Sequence, residues 1–474
     1  MSKNTHPLEH ERVSCWERYA AKTEQKAMRK LADEYLEFLS ACKTEWETVA
    51  WAKKQLERAG FKEGLGGSEV FFTLKGKTLI AARRGKKSLA DGFRLIAAHV
   101  DSPRVDFKQR PLYEDAGVAQ AKTHYYGGLR KYQWFSRPLA LHGLVGREDG
   151  STLTFALGED PKDPVFGIAD LLPHLAQKQS GQVLREAFEA EKMNIILGSR
   201  PQPDMIGEAK GKAKEKPGAA TPIKSHILEL LNKRFGLKEE DFYSAEIHAV
   251  PAGPARYVGL DESLLGGYGH DDRVCVFLGL KAFLDGGKKG VAPAHAQFLV
   301  LWDKEEIGSE GSTGAKARFF EYCLEDCLAA WEPKIPLRRV MQAGKAISAD
   351  VHGALDPDYQ ELHEKLNASF LGYGPTFAKF TGSRGKYEAN DAHPEYVGWL
   401  RGILNKAGIP WQMAELGKVD QGGGGTVAMH FANYGMNIID CGPAVLSMHS
   451  PFELSSKVDL YATLLAFKVF LTAK

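Results

Sequence analysis

The sequence predicts an α/β protein: a mostly parallel sheet sandwiched by helices, with an inserted β-rich second domain. Apolar runs typical of buried strands, such as residues 93–98 and 298–302, alternate with helical patterns. Strands that alternate with helices along a chain indicate a parallel sheet covered on both faces. From 104 to 251 the alternation stops, and short strand-like pieces are separated by Gly, Pro and charged residues. We therefore predict a main domain formed by residues 1–103 and 252–474, interrupted by an inserted domain over 104–251.

Helices and a hairpin are predicted ahead of the first buried strand. Within residues 11–62, apolar residues recur three and four positions apart, which is the period of an amphipathic helix. A second helix is expected over 45–59, because Gly60 is a frequent helix terminator. Two strand-like runs, 71–76 and 78–82, meet at a glycine and predict a hairpin.

The predicted inserted domain is rich in strand-like pieces and contains one stretch that is poor in apolar residues. Residues 139–145 and 151–155 have strand-like patterns. Residues 208–222 combine several lysines with Gly, Pro and Ala, and we predict a mobile surface loop there. Aromatic residues do not interleave with these lysines, so a nucleic-acid interface is not predicted.

The alternation of helices and strands resumes after the insert. Asp271 and Asp272 open an apolar helix over 274–284, as acidic residues favour a helix N-terminus, and the strand over 298–302 follows. The remaining predicted elements are an alanine-rich helix from Thr313, a strand ending near 347–352, a helix over 394–407, a tight turn at 420–426 before another helix, a strand over 437–440 and a last helix over 457–472.

Composition and charge narrow the class of protein. The 474 residues are 43% hydrophobic and 26% charged, which is usual for a soluble globular protein. A formal net charge of +2 gives no reason to expect nucleic acid or a membrane surface as a partner, and no run has the length of a membrane span. The six cysteines contain no CxxC pair, and the N-terminus lacks the apolar core of a signal peptide. We therefore expect reduced thiols and a cytoplasmic location.

Residues that can bind metal lie where strands are expected to end or helices to begin. Open α/β sheets bind ligands outside the carboxyl ends of their strands. Two histidines and three carboxylates at such positions suit two zinc-like ions that share one carboxylate. These five residues are His99, Asp271, Glu306, Asp350 and His449.

Two further acidic residues have positions suited to supporting roles. Asp101 lies two residues after His99 and can orient its imidazole. Glu305 adjoins Glu306 and can carry a proton, first as general base and then as general acid. Taken singly, a histidine is usually a surface or structural residue, and an aspartate is usually a cap or part of a turn. Spacing alone therefore leaves a solvated charged turn as the alternative.

Taken together and in order, these motifs resemble the M18 family of metalloaminopeptidases, the aspartyl aminopeptidase group, over nearly the whole chain. The neighbouring M42 family shares much of the pattern. The motifs that carry the resemblance are His99-x-Asp101-Ser-Pro103, Asp271-Asp-Arg273, Asp303-x-Glu305-Glu306-Ile-Gly308, Asp350-Val-His352 and Met448-His449-Ser450. The segments that favour M18 over M42 are Trp134-Phe135-x-Arg137-x-Leu139, Leu172-Pro173-His174-Leu175 and Met448-His449-Ser450.

The resemblance implies a dinuclear-zinc peptidase fold and a distribution of the metal ligands. One Zn2+ would be held by His99, Asp271 and Asp350. The second would be held by Asp271, Glu306 and His449, so that Asp271 bridges the two ions. Co2+ and Mn2+ are alternative ions.

The resemblance also implies catalytic roles and an assembly. Glu305 would be the general base, and Asp101 would fix His99 in place. The insert would be a dimerisation domain, and His174 within it would reach the active site of a neighbouring subunit. The expected assembly is a tetrahedral homododecamer that admits peptides and excludes folded proteins.

The expected function is zinc-dependent release of N-terminal amino acids from peptides. The segments 384–390 and 421–426 depart from the usual family pattern and are expected to shape the pocket for the first side chain, where Arg384 and Lys386 could receive an acidic group. Whether acidic residues are preferred stays open. The alternatives are a related dinuclear amidohydrolase, such as a deacylase, and a non-catalytic shell or cargo-binding assembly.

Overall fold

The computed structural model describes residues 6, 8–202, 221–287 and 291–474. The chain forms two compact units, which are described separately. The first comprises Met1–Ser102, Ala255–Met448 and Phe452–Lys474, and the second comprises Pro103–Pro254 and His449–Pro451. The loop predicted over 208–222 lies, up to residue 220, outside the described residues.

The helices of the described residues are α1 (Cys15–Arg18), α2 (Lys22–Ala41), α3 (Glu45–Ala59), α4 (Gln177–Ser180), α5 (Leu184–Ala187), α6 (Pro222–Phe235), α7 (His270–Asp285), α8 (Phe319–Trp331), α9 (Leu337–Ala343), α10 (Pro394–Ala407), α11 (Ala428–Ala432) and α12 (Lys457–Thr472). Helices α4, α5 and α6 belong to the second unit. Among the residues that the structure describes, no helix has both the length and the apolar character needed to cross a bilayer.

The strands are β1 (Lys62–Glu63), β2 (Glu69–Leu74), β3 (Thr78–Arg83), β4 (Phe93–His99), β5 (Arg104–Asp115), β6 (Val118–Tyr126), β7 (Leu139–Gly146), β8 (Thr152–Leu157), β9 (Ile195–Gly198), β10 (Ala245–Pro251), β11 (Arg256–Val258), β12 (Leu264–Gly267), β13 (Ala296–Trp302), β14 (Lys345–Ala349), β15 (His352–Gly353), β16 (Thr376–Ala378), β17 (Gln412–Met413), β18 (Asn437–Gly442), β19 (Ala444–Leu446) and β20 (Glu453–Ser456).

The first unit is built on a nine-stranded sheet with the order β1-β2-β3-β13-β4-β14-β18-β16-β17. Its centre, β13-β4-β14-β18, is parallel throughout. The predicted hairpin is β2-β3, which is antiparallel and joins the sheet through an antiparallel β3-β13 pair. The α/β class is confirmed, with a parallel centre and mixed edges.

Alternate residues of each central strand face two different hydrophobic cores. In β13, Leu299 and Leu301 pack into a core shared with α2, α3, α7, α10 and α12. Phe298, Val300 and Trp302 point to the other face, where α8, α9 and α11 cover them. The two-residue period of a strand, applied to a continuous apolar run, therefore buries both faces, as the sequence predicts. A smaller five-stranded sheet, β11-β12-β20-β19-β15, completes the unit.

The helix predicted from Thr313 begins six residues later, at Phe319. Tertiary hydrogen bonds occupy the backbone of Thr313. Its carbonyl oxygen accepts from Thr78 Oγ1 at 2.7 Å and from the Asp303 N–H at 3.3 Å. Its hydroxyl donates to Asp303 Oδ2 at 2.6 Å. These bonds hold Thr313 in a loop, because a helical residue would use its carbonyl within the helix.

The second unit is organised around an antiparallel six-stranded sheet with the order β8-β7-β10-β5-β6-β9. Strands β7 and β10 pair along seven residues, from Leu139 opposite Pro251 to Val145 opposite Ala245. The alternating short strands and turns of the sequence thus form an antiparallel sheet, which permits tight connections.

Candidate metal centre

Three neighbouring strands deliver polar side chains to one edge of the central sheet. Strand β4 lies between β13 and β14, and it ends at His99. Trp302, the last residue of β13, is in register with His99, so Glu305 and Glu306 follow at the same edge. Strand β14 ends at Ala349, and Asp350 comes next. Because parallel strands end at the same edge, residues far apart in the chain meet there.

Helix α7 supplies a further pair of carboxylates, Asp271 and Asp272, at its first turn. The peptide bond between them is cis, and neither residue has helical backbone angles. The Asp271 N–H donates to Glu453 Oε2 at 3.0 Å, and its carbonyl oxygen accepts from Ser102 Oγ at 2.7 Å. These two bonds fix the backbone that presents the Asp271 carboxylate.

The ligand atoms converge on the His99 imidazole. His99 Nε2 lies 3.1 Å from Asp271 Oδ1, 3.9 Å from Asp350 Oδ1 and 4.0 Å from Glu305 Oε2. Two sets of three ligand atoms lie within 4.8 Å of one another: His99 with Asp271 and Glu306, and His99 with Asp272 and Asp350. One imidazole and several carboxylates at this spacing form a donor set that suits Zn2+.

Burial makes this concentration of negative charge unfavourable without a cation. Burial, then the neighbouring Asp272, raises the pKa of Asp350 well above its usual value. Burial also raises the pKa of Asp272, whose Oδ1 has no hydrogen-bond partner among the described residues. Burial lowers the pKa of His99, but hydrogen bonds to Asp101 and Asp271 outweigh this effect. The net result is a pKa well above the usual value of a histidine. A divalent cation would relieve the repulsion, so the residues fit a bound metal.

Asp101 links the histidine to the two glutamates. Its carboxylate accepts the backbone N–H of Glu305 at 3.1 Å and that of Glu306 at 3.2 Å. His99 Nδ1 faces Asp101, 3.0 Å from its carbonyl oxygen and 3.3 Å from its Oδ1, which leaves Nε2 facing the other ligands. Asp101 is fully buried. One residue therefore orients the imidazole, through its carbonyl oxygen and its carboxylate, and also positions the glutamate turn, as partners of metal ligands commonly do.

The sequence-predicted residues divide between the two units. The structure brings together His99, Asp101, Asp271, Glu305, Glu306 and Asp350 in the first unit. His449 belongs to the second unit, where its Nδ1 lies 2.7 Å from the Gly128 carbonyl oxygen. His174 lies in the second unit as well, exposed in a 3-10 helix over Pro173–Leu175. The roles of His449 and His174 stay predictions.

Sequence reasoning assigned no role to Asp272 and Ser102, which both contact the site. Asp272 Oδ2 lies 3.4 Å from the backbone nitrogen of His99. Ser102 donates to Asp271 and accepts from Arg273 Nη1 at 3.1 Å. Their positions in the sequence could have identified both residues, because Asp272 directly follows a proposed ligand and Ser102 directly follows Asp101.

Comparisons with known proteins identify the family of the chain. The family described as Aminopeptidase I zinc metalloprotease (M18) matches residues 38–471. A probable M18 family aminopeptidase 1 of Clostridium acetobutylicum is 44% identical over 470 residues, covering 97% of each chain. The crystal structure of an M18 aminopeptidase from Thermotoga maritima superposes with a TM-score of 0.89 at 42% identity, over 98% of this chain and 100% of that one. The mApe1 dodecamer of S. cerevisiae, at 21% identity and a TM-score of 0.75 over 94% and 97% of the chains, shares the fold.

Replacing Asp101 with alanine is expected to weaken metal binding by about 10- to 100-fold, because the glutamate turn loses the carboxylate that accepts its two N–H groups and the imidazole keeps only the backbone carbonyl oxygen as a partner. Competition against a chromogenic zinc chelator measures the affinity. Asp91→Ala, an exposed aspartate that precedes the same strand, is the matched control. Equal zinc affinity in Asp101→Ala and the control would contradict the anchoring role.

Proposed function

This chain belongs to the M18 family of zinc metalloaminopeptidases, and from this premise we propose how its residues divide the work of removing N-terminal amino acids from peptides. The observation that supports the proposal is the convergence of His99, Asp271, Glu306 and Asp350 around one sheet edge, with Glu305 beside them. A donor set for metal and a spare carboxylate within reach of it are what metal-assisted hydrolysis of an amide requires.

We assign two zinc ions to the site. His99, Asp271 and Asp350 would hold one ion, and Asp271, Glu306 and His449 the other. Asp271 is suited to bridge, because its backbone is fixed at both its N–H and its carbonyl oxygen. Asp272 lies deeper than Asp271 and close to the His99 backbone, which favours a supporting role. Zinc, when bound, polarises the scissile carbonyl and makes water a stronger nucleophile.

Glu305 is the proposed proton carrier. Its side chain is 15% exposed, so it can meet solvent and substrate, and its backbone N–H is held by Asp101. In the proposed reaction Glu305 accepts a proton from the attacking water and returns it to the leaving amine. The carboxylate therefore acts as general base and then as general acid at the same position.

Replacing Glu305 with glutamine should lower kcat by about 100- to 10,000-fold, because the amide cannot accept the proton of water. Zinc content and thermal stability should stay unchanged, since glutamine keeps the shape of the side chain. The control is Glu310→Gln, an exposed residue of the same loop that pairs with Lys316. Near-normal turnover of the Glu305 variant, measured with aminoacyl-p-nitroanilides, would contradict the role of Glu305 as the proton carrier.

A preference for an acidic first residue is a finer proposal, and the loop around Lys386 supports it. Three non-glycine residues there have positive φ, Arg384, Lys386 and Glu388, and such backbone conformations concentrate at binding sites. Lys386 and Lys379 both pair with the single carboxylate of Asp391. One cation is therefore left in excess and could receive a substrate carboxylate.

Turnover of dipeptides that differ in their first residue tests this preference. With metal added back, Asp-Ala and Glu-Ala should have a higher kcat/KM than Leu-Ala and Lys-Ala. Lys386→Met should reduce that ratio and leave the turnover of Leu-Ala unchanged, because the positive charge acts on the first side chain alone. A higher kcat/KM for dipeptides with an apolar first residue would contradict the acidic preference. A ratio of acidic to apolar kcat/KM that Lys386→Met leaves unchanged would contradict it as well.

We also propose that the chain self-associates through its insert into a tetrahedral homododecamer in the cytoplasm, where its cysteines, all six unpaired, would stay reduced. The insert exposes a group of apolar side chains that a partner could cover: Val165, Leu171, Leu172, Leu175, Val183 and Leu184. Patches of this kind mark protein–protein contacts. His174 lies within this segment, so assembly would place it near a neighbouring subunit.

The mass of the particle in solution distinguishes a dodecamer from a single chain or a smaller assembly. Light scattering after size-exclusion chromatography should give twelve times the 52.2 kDa of one chain. Leu175→Asp should shift the mass downwards, because it places a charge in the covered surface. Leu260→Asp, at a fully exposed leucine of the first unit, should not. A wild-type particle of one-chain mass would contradict the assembly.

A further inference from the structure

A group of cations lies at the end of the central sheet opposite to the metal centre. Arg94 is the second residue of β4, Lys345 is the first residue of β14, and the two are in register as neighbours. His295 directly precedes β13, the strand on the other side of β4. Lys87 joins them, with its Nζ 3.2 Å from His295 Nε2. Arg94 lies five positions before His99 along β4, a distance of about 16 Å.

Arg94 is buried without a compensating negative charge. It is 2% exposed, and its Nε has no hydrogen-bond partner among the described residues. Its one hydrogen bond, from Nη1 to the Phe93 carbonyl oxygen, is 3.3 Å long. Within the described chain, no carboxylate forms a salt bridge with Arg94, Lys345 or Lys87. A buried guanidinium in this state is costly, because lost hydration is not replaced.

The cations repel one another. Burial, followed by the charges of Arg94 and Lys87, lowers the pKa of Lys345. Burial likewise lowers the pKa of His295, and Arg94, Lys87 and Lys345 lower it further. A lysine ammonium can only donate a hydrogen bond, so the contact with Lys87 also favours a neutral imidazole. With its Nδ1 hydrogen bonded to the Gly92 carbonyl oxygen at 3.0 Å, its Nε2 is left to accept from Lys87.

The ring of Trp399 lies against two of these cations and partly stabilises them. The Arg94 guanidinium carbon lies 5.1 Å from the centroid of the Trp399 ring, and Lys345 Nζ lies 4.8 Å from it. Cation–π contacts stabilise a cation modestly, through its attraction to the electron-rich face of the ring. They do not remove the charge, and two cations at one ring still repel each other. The Trp399 ring holds Arg94 and Lys345 in place, but it carries no negative charge that would balance theirs.

We propose that Arg94, Lys345 and Lys87 form a binding site for a phosphate-type oxyanion at the amino edge of the sheet, with His295 orienting Lys87. Three cations match a doubly charged ligand better than a single carboxylate. A guanidinium with free donors binds phosphate oxygens in pairs, and ammonium groups bind them as point charges. The site is separate from the metal centre, since it lies at the opposite ends of the same three strands.

Titration of the metal-loaded enzyme with inorganic phosphate at constant ionic strength tests the site. Lys345→Met and Lys87→Met should each raise the phosphate Kd at least about tenfold, because each removes one cation and keeps the length of the side chain. Lys26→Met, an exposed lysine of α2, should not change it. Glycerol 3-phosphate and AMP in the same titration show whether a phosphate ester is preferred to the free ion. Acetate at equal ionic strength should bind far more weakly.

Thermal unfolding in phosphate-free buffer gives an independent readout. Lys345→Met should raise the Tm there, since it relieves repulsion, and should lose the stabilisation that phosphate gives the wild type. Phosphate that inhibits the peptidase reaction through the metal centre would inhibit this variant equally, which separates the two sites. Equal phosphate affinity in wild type, Lys345→Met and Lys87→Met would overturn the proposal, as would acetate binding as tightly as phosphate.

Discussion

The register between β13, β4 and β14 is the constraint on which the site depends. Trp302 pairs with His99, and Ser348 pairs with Ala97, so the three strands end within one or two residues of each other. Every ligand that follows a strand end is thereby brought to one place. A slip of one residue would turn each side chain to the other face of the sheet. Two cores, one on each face, hold the strands against such a slip, because either face would lose its apolar residues.

Asp101 converts this shared edge into a site with defined geometry. A loop such as the glutamate turn would otherwise move independently of the strand that carries His99. The buried carboxylate accepts two backbone N–H groups of that turn and faces the imidazole. Charge-assisted bonds of this kind are about twice as strong as neutral ones, and burial strengthens them. Asp101, which lies two residues after the end of β4, therefore sets the position of Glu305 relative to His99.

The strands and the first ligands could be predicted because their signals are local. A continuous apolar run ended by His or Asp is visible in the sequence for β4, and Glu305 and Glu306 follow β13 in the same way. The start of α8 could not be predicted, because Thr313 is held by Asp303 and by Thr78, which is 235 residues away in sequence. Asp272 was missed for a related reason: its nearness to the His99 backbone depends on how α7 packs against β4.

The cations at the amino edge were missed because each is ordinary alone. Arg94 reads as one polar residue inside an apolar strand, and Lys345 as a charged residue at a strand start. The register that brings acidic ligands together at the carboxyl ends necessarily brings these residues together at the amino ends. Each cluster concentrates one sign of charge around a buried group, Asp272 at one end and Arg94 at the other, which lowers the stability of the unliganded fold. The metal offsets this cost at one end of the strands. The same electrostatic argument, applied with the opposite sign, supports the proposed anion at the other end.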